Sequence, residues 1–290
     1  MVFLILASVL WSLSFALIKS SGIDPDLLSA ARLGLAALVF LPLLARQPAP
    51  RALASKLAFI GSIQFGLMYV LVMRSYDYLA GFEVALLTVT TPILVVLFEA
   101  ALARRVTLRP LLAACIAVVA ALVLRWPAPG DTGQIPIAGF ALVGGANAAW
   151  ALGQILYRRL LRSRPKEAPG DAVAHFGWMY VGAFAVAGAW ALLHVNATDL
   201  ALTGVQMGKI AYLGLVPSGL AFFLWNRGAL SVSVGTLAVL NNLKVPLAVL
   251  VALAPPFSEP FDGGRLFGSA AVLALALAVS TWRSGSHGIA

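Results

Sequence analysis

Long apolar runs, separated by short polar turns rich in proline and glycine, recur from one end of the chain to the other. Ten stand out: 2–20, 27–46, 56–78, 82–103, 107–125, 135–160, 172–194, 208–226, 232–255 and 265–282. A helix needs about 20 residues to cross a hydrocarbon core of ~30 Å, whereas a barrel strand needs only about 9–11. Lipid offers no partner to backbone N–H and C=O groups, so spanning segments are helices or closed barrels. The run lengths choose helices, and the pattern predicts an all-α integral membrane protein with ten transmembrane helices. Punctuation at Gly22 and Pro25, Pro48 and Pro50, Pro127 and Pro129, Pro165 and Pro169, and Pro255, Pro256 and Pro260 falls between the runs.

The runs repeat. Trp11, Leu13, Leu17 and Lys19 in the first have the spacing of Trp150, Leu152, Leu156 and Arg158 in the sixth. The fifth extends from Arg109 to Trp126 and the tenth from Arg265 to Trp282, with equal separation. The fourth and ninth each hold one central proline, Pro92 and Pro246. These matches, in the same order, divide the chain into a first half at 1–130 and a second at 131–290. Five is odd, so the second half enters the membrane upside down, and two inverted five-helix repeats enclose a site near the midplane.

Composition agrees: 61% of the 290 residues are hydrophobic and 11% charged, with a mean hydropathy of +0.95. The net charge of +9 is scattered in small clusters between apolar runs, which excludes nucleic acid as the main partner and reads as a topology signal. With both termini cytoplasmic, Arg46, Arg51 and Lys56, then Arg104, Arg105 and Arg109, then the cluster from Arg158 to Lys166, then Arg227 and Arg283 all fall inside. The other face holds most of the acids. This places a multi-pass protein in the cell (inner) membrane. The first run lacks a basic leader and a small-residue cleavage site, so it is expected to be a retained helix. The single cysteine, Cys115, precludes an intramolecular disulfide or a Cys-rich zinc site. No cofactor or metal is expected.

Only Arg32 and Lys244 are left at membrane depth. Lys244 sits about twelve residues from one end of its run and about eleven from the other, roughly 16–18 Å from either interface. A lysine stem reaches about 6 Å, so it cannot snorkel to water. Inserting such a charge costs on the order of 2.5–3.5 kcal/mol, tolerable beside a wet cavity or a partner. One reading places Lys244 in a central cavity, binding an anionic group. The other pairs it with Glu99, or leaves the amine neutral. Arg32 lies about five residues into its run, shallow enough to snorkel to water or to pair with Asp24 or Asp26, and is expected to be structural.

Pro92 and Pro246 remove the hydrogen bonds to the carbonyls of Thr88 and Asn242 and predict kinks, or hinges, at equivalent places. Asn241 and Asn242 adjoin the lysine. Asn147, Trp150, Gln154 and Tyr157 follow i, i+3, i+7, i+10 and form one polar–aromatic stripe. Ser8 and Trp11 stand on the repeat-related face. Together with Thr88 these are the candidate substrate contacts. Packing is the competing reading for the two tryptophans, and Tyr76, Tyr78, Trp126, Trp190 and Trp282 read as interfacial anchors. Glu83 and Asp77 read as solvated loop acids. The spacings Gly204/Gly208 and Gly264/Gly268 mark close helix contacts or a homodimer face.

The stretch 222–259, FFLWNRGALSVSVGTLAVLNNLKVPLAVLVALAPPFSE, resembles the second repeat of EamA-type transporters in the drug/metabolite transporter superfamily. The match rests on an aromatic-Trp-Asn entry, a small-residue helix, a central proline and a closing glutamate, Glu259. The resemblance extends over nearly the whole chain and implies a secondary carrier of small metabolites, often an exporter. It departs in the first half, where thirteen residues past the proline stands Arg105 rather than an acid. No Walker loop, HExxH or Gly-x-Ser-x-Gly appears, so ATP-driven pumping and most hydrolytic chemistry are excluded and no enzyme is expected. The expected cargo is an amino acid or related carboxylate-bearing solute, moved by alternating access. A flippase for a lipid-linked phosphate or sugar carrier is the alternative.

Overall fold

The computed structural model describes residues 1–46, 49–102, 136–163, 169–232 and 240–281, with isolated positions between 104 and 123 and residue 237. Among the described residues the chain is all-helical. The helices are α1 (Val2–Lys19), α2 (Pro25–Arg46), α3 (Arg51–Ser75), α4 (Gly81–Leu102), α5 (Ile137–Arg162), α6 (Pro169–His194), α7 (Gly204–Ala229), α8 (Lys244–Leu253) and α9 (Gly263–Thr281). Seven contain a stretch long and apolar enough to cross a membrane, and α8 and α9 are shorter apolar helices. The expected run 107–125 lies almost entirely outside the described residues. Pro25 and Pro169, expected in turns, begin α2 and α6, where a missing N–H breaks no helical bond.

Helices of the predicted halves interleave. The most extensive contacts are α2 and α3 on α6, α3 and α4 on α5, and α1 on α7 and α8. Glycine sets the closest of these. A Cβ at Gly61 on α3 would overlap the Met179 carbonyl on α6, and one at Gly182 on α6 would overlap the Ala58 carbonyl on α3. Of the two glycine pairs expected from sequence, Gly204 and Gly208 make no close helix contact within the chain, with nothing within 4 Å, and Gly268 has an ordinary contact with Val123 at 3.4 Å. Outward faces are apolar, with Leu192, Phe267 and Ile137 more than two-thirds exposed, as lipid-facing positions should be.

Four helices are irregular, and all four face the interior. α3 widens into a π-helical stretch at Ser62–Leu67 and α7 at Gly214–Leu220. α4 tightens to a 3₁₀ turn at Thr88–Thr90, just before Pro92. The expected helix 232–255 is not continuous, because a turn at Asn242–Leu243 breaks it before Lys244 and Pro246. The Thr88 and Asn242 carbonyls are not freed by the prolines. They accept from the N–H groups of Thr91 and Val245, one residue short of each proline. Tightening to an i+3 bond is how a helix keeps its polar groups paired without water.

Two carboxylates fasten the start of α4. Glu83 accepts the Ala80 N–H at 2.8 Å, and Glu259, from the loop between α8 and α9, accepts the Phe82 N–H at 2.9 Å. Anions suit this end of a helix. Glu83 is buried, which corrects its reading as a solvated loop acid. Half-burial pushes the Glu259 carboxyl above the usual range, opposed by the Phe82 amide, Lys19 and the Gly81 amide.

Gly182→Val is expected to cost about 1–3 kcal/mol through overpacking of α3 on α6, read as a lower melting temperature in detergent, while Gly208→Ala leaves melting unchanged or slightly raised. For Glu259 the folded state keeps its proton above the unfolded pKa of about 4.3, so this group's contribution falls as pH rises from there through the raised folded value. Glu259→Gln is expected to flatten that part of the melting-temperature profile; an unaltered slope would assign it elsewhere.

Candidate functional site

One cavity, of about 90 Å³, opens among α1, α2, α3, α4, α5, α7 and α8. Of the residues singled out from sequence, Trp11, Thr88, Asn147, Trp150 and Lys244 line it. The lining continues along α1 to Ile18 and along α3 to Tyr76, toward the ends of those helices predicted to face outward.

Its floor is aromatic. Trp11 and Trp150 meet edge to face at 5.6 Å. Phe222 of α7 lies 5.2 Å from Trp11 and 5.1 Å from Trp150, and stacks in parallel on Phe65 at 4.8 Å. Such ring contacts exclude water and fix geometry. The indole N–H of Trp11 donates to the Pro217 carbonyl at 2.9 Å, inside the π-helical stretch of α7. Among the described residues the Trp150 indole N–H is buried without an acceptor, as is that of Trp225, whose ring lies 5.2 Å from Trp11.

The remaining candidate substrate contacts are not in this lining. Ser8 bonds to the carbonyls of Leu4 and Leu240, and Tyr157 packs edge-on against Phe176. Gln154, Asn241 and Asn242 lie about a turn beyond the floor. Near them Gln64 donates to Asn226 at 3.1 Å. Gln64 Oε1, Gln154 Nε2, Asn241 Nδ2 and both side-chain polar atoms of Asn242 are buried without a partner. A polar layer therefore lies beneath the aromatic one. Asn147 sits at the break in α4, donating to the Leu87 carbonyl at 3.1 Å and to Thr90 Oγ1 at 2.9 Å.

Lys244 is 8% exposed, its Nζ 3.4 Å from Asn241 Oδ1 and 5.0 Å above the Trp11 ring. Glu99 is not its partner: that carboxylate meets Arg159 at 3.3 Å. Arg32 corrects the sequence reading more sharply. It is 2% exposed and lines the cavity; Nε donates to Ser218 Oγ at 3.1 Å and Nη2 to the Tyr69 hydroxyl at 3.0 Å. Of its two expected partners, Asp26 is held by Arg74 at 2.6 Å and Trp190 at 3.1 Å, and Asp24 accepts the N–H groups of Asp26 and Leu27 at the start of α2. Tyr76, read as an interfacial anchor, is 6% exposed and lines the cavity as well. Tyr69, Phe222 and Ser218 carried no sequence signal beyond being polar or aromatic in apolar runs. Arg32 carried one, its intramembrane charge.

The profile of the EamA-like transporter family matches residues 1–126. A probable biotin transporter of Pseudomonas aeruginosa is 40% identical over 255 residues, covering 87% of this chain and 87% of its own. Biotin transporters of Salmonella typhimurium and Escherichia coli K12 are 36% and 35% identical over 279 residues, each covering 94% of this chain and 91% of its own. A solved crystal structure, 20% identical, superposes with a TM-score of 0.67 over 97% of this chain and 96% of its own, a likeness of fold. Apolar helices around a cavity, and relatives aligned over nearly their whole length, make this a multi-pass membrane transporter rather than an enzyme: the chain belongs to the EamA-like transporter family.

Proposed function

We propose that the chain is a secondary carrier that moves a small carboxylate-bearing metabolite by alternating access, and that biotin is its foremost candidate cargo. The observation that carries this reading is the lining itself, with two cations, no acid among the described residues and a floor of aromatic rings. Biotin joins a carboxylate, through a short aliphatic chain, to an apolar bicycle that bears a cyclic urea. Such a molecule needs a cation at one end, apolar area in between and hydrogen-bond groups at the other. The indole N–H of Trp150 suits the urea carbonyl. The names of the relatives point to the same cargo.

Two inverted five-helix repeats, with ten spans and cytoplasmic termini, are part of the proposal. Residues related by a two-fold axis touch one another only near that axis, and Trp11 and Trp150, matched by spacing, are in contact. The π-helical stretches in α3 and α7, and the breaks before Pro92 and Pro246, fall at places the halves would exchange. Rocking one half on the other would part the aromatic floor, close the outer mouth and wet the unpartnered amides beneath. Amino acids and other carboxylates fall within the same class, and export is the direction the resemblance implies.

Proteoliposomes test this. Labelled biotin is expected to accumulate in counterflow, with Lys244→Ala lowering kcat/KM about tenfold or more, the scale of one lost charge-assisted contact. Equal transport of acidic, zwitterionic and cationic solutes by both proteins would remove the assignment. Loading from either side reads the direction. Trp150→Ala is expected to weaken bulky apolar cargo more than small cargo; an unchanged ranking would make Trp150 a packing residue.

A further inference from the structure

Arg32 offers more donors than the protein uses. A guanidinium has five N–H groups in a fixed fork. One goes to Ser218 Oγ and one to Tyr69 OH, while Nη1 has only the Met73 sulfur, 3.9 Å away. Both acceptors are neutral hydroxyls, already tied to each other at 2.8 Å, and Ser218 is anchored to the Leu213 carbonyl by a further bond of 2.6 Å. Asp26 and Glu99 are held by Arg74 and Arg159. The result is a buried, rigidly aimed cation at a cavity wall, with three N–H groups that meet no oxygen among the described residues.

The aromatic faces tell what else the cavity will not take. An ammonium group can be held by a carboxylate or by a ring face. Among the described residues no carboxylate lines this cavity. The Tyr69 ring is already covered by Arg32 at 4.7 Å and the Trp11 ring by Lys244 at 5.0 Å. A cargo ammonium would meet two like charges, with two of the ring faces that could hold it already occupied.

We infer that Arg32 is the carboxylate anchor of this cavity, set in place by Tyr69 and Ser218, and that the cargo is an organic anion without an amino group. This deepens the carrier reading above and rests on it. Arg32 recognises the carboxylate with its planar fork, and Lys244, on the aromatic floor, faces the electronegative groups of the remaining cargo. Amino acids are thereby disfavoured against their desamino counterparts.

The experiment uses purified full-length protein and matched ligand pairs: biotin against biotin amide, and 3-phenylpropionate against phenylalanine. Ligand-induced shifts in melting temperature give affinities, and counterflow with labelled biotin gives transport. The native protein is expected to favour each amine-free acid by about tenfold to a hundredfold, the scale of a charge-assisted hydrogen bond. Arg32→Gln is expected to bring the acid-to-amide ratio to about one while leaving the affinity for the amide within about threefold. Arg32→Lys keeps the charge without the fork and restores part of the ratio, and Tyr69→Phe lowers it while the protein stays folded. A ratio that persists in Arg32→Gln and Tyr69→Phe overturns the anchor, as does a native preference for phenylalanine. If carboxylates stabilise the native protein and not Arg32→Gln, yet biotin is not transported, biotin fails as cargo and the anchor stands. If no carboxylate stabilises the native protein, both fail.

Discussion

Two positive side chains buried at membrane depth without a carboxylate are the constraint around which this interior is arranged. An unpaired charge in a low-dielectric setting is costly, and the protein meets the cost with neutral dipoles and ring faces. Hydroxyls of Tyr69 and Ser218 face Arg32, the amide oxygen of Asn241 faces Lys244, and the rings of Tyr69 and Trp11 lie under the two cations. None of these groups neutralises the charge. A positive potential is left to the cavity, and an anion that enters it supplies what the protein withholds.

The irregular backbone is tied to the same groups. Ser218 lies in the π-helical stretch of α7, and its hydroxyl reaches the carbonyl five residues back. The Trp11 indole and the Tyr180 hydroxyl bond to carbonyls of that stretch, Pro217 and Gly219 among them. Asn147 occupies the break in α4 as Ser8 occupies the approach to α8. Each distortion that frees a polar group also places a partner beside it, as a chain without access to water requires. Among the described residues the unpartnered amides, on Gln64, Gln154, Asn241 and Asn242, lie in the layer beneath the aromatic floor, while Trp150 in the floor, Trp225, Trp178 and Arg158 each also bury an unpartnered N–H. Unpartnered amides raise the free energy of the state that buries them, so the closed floor is held by ring packing against the demand of the groups below.

Much of this was legible in the sequence because bilayer physics is one-dimensional along a helix. Run length, basic clusters and the spacing of Trp11 against Trp150 are properties of the chain order, and they gave helical spans, a membrane setting and a polar interior. Lys244 stood out because depth alone rules out snorkelling. Arg32 was misread by the same rule: a shallow position says that an arginine can reach water, not that it does, and Asp26 was taken by Arg74 instead. Glu99 likewise went to Arg159.

The amino-acid sequence by itself determined what each helix must hide and where along its length, since hydrophobic thickness and helical rise are fixed quantities. Tertiary structure alone decided which polar groups share a space, because that depends on how seven helices are rotated about their axes. Rotation put Trp11, Thr88, Asn147, Trp150, Lys244 and Arg32 around one cavity and left Ser8, Gln154, Tyr157, Asn241 and Asn242 out of its lining. Asn147 and Gln154, about two turns apart on one helix face, came to lie on opposite sides of an aromatic floor, a boundary formed by rings from α1, α3, α5 and α7 that no single helix contains.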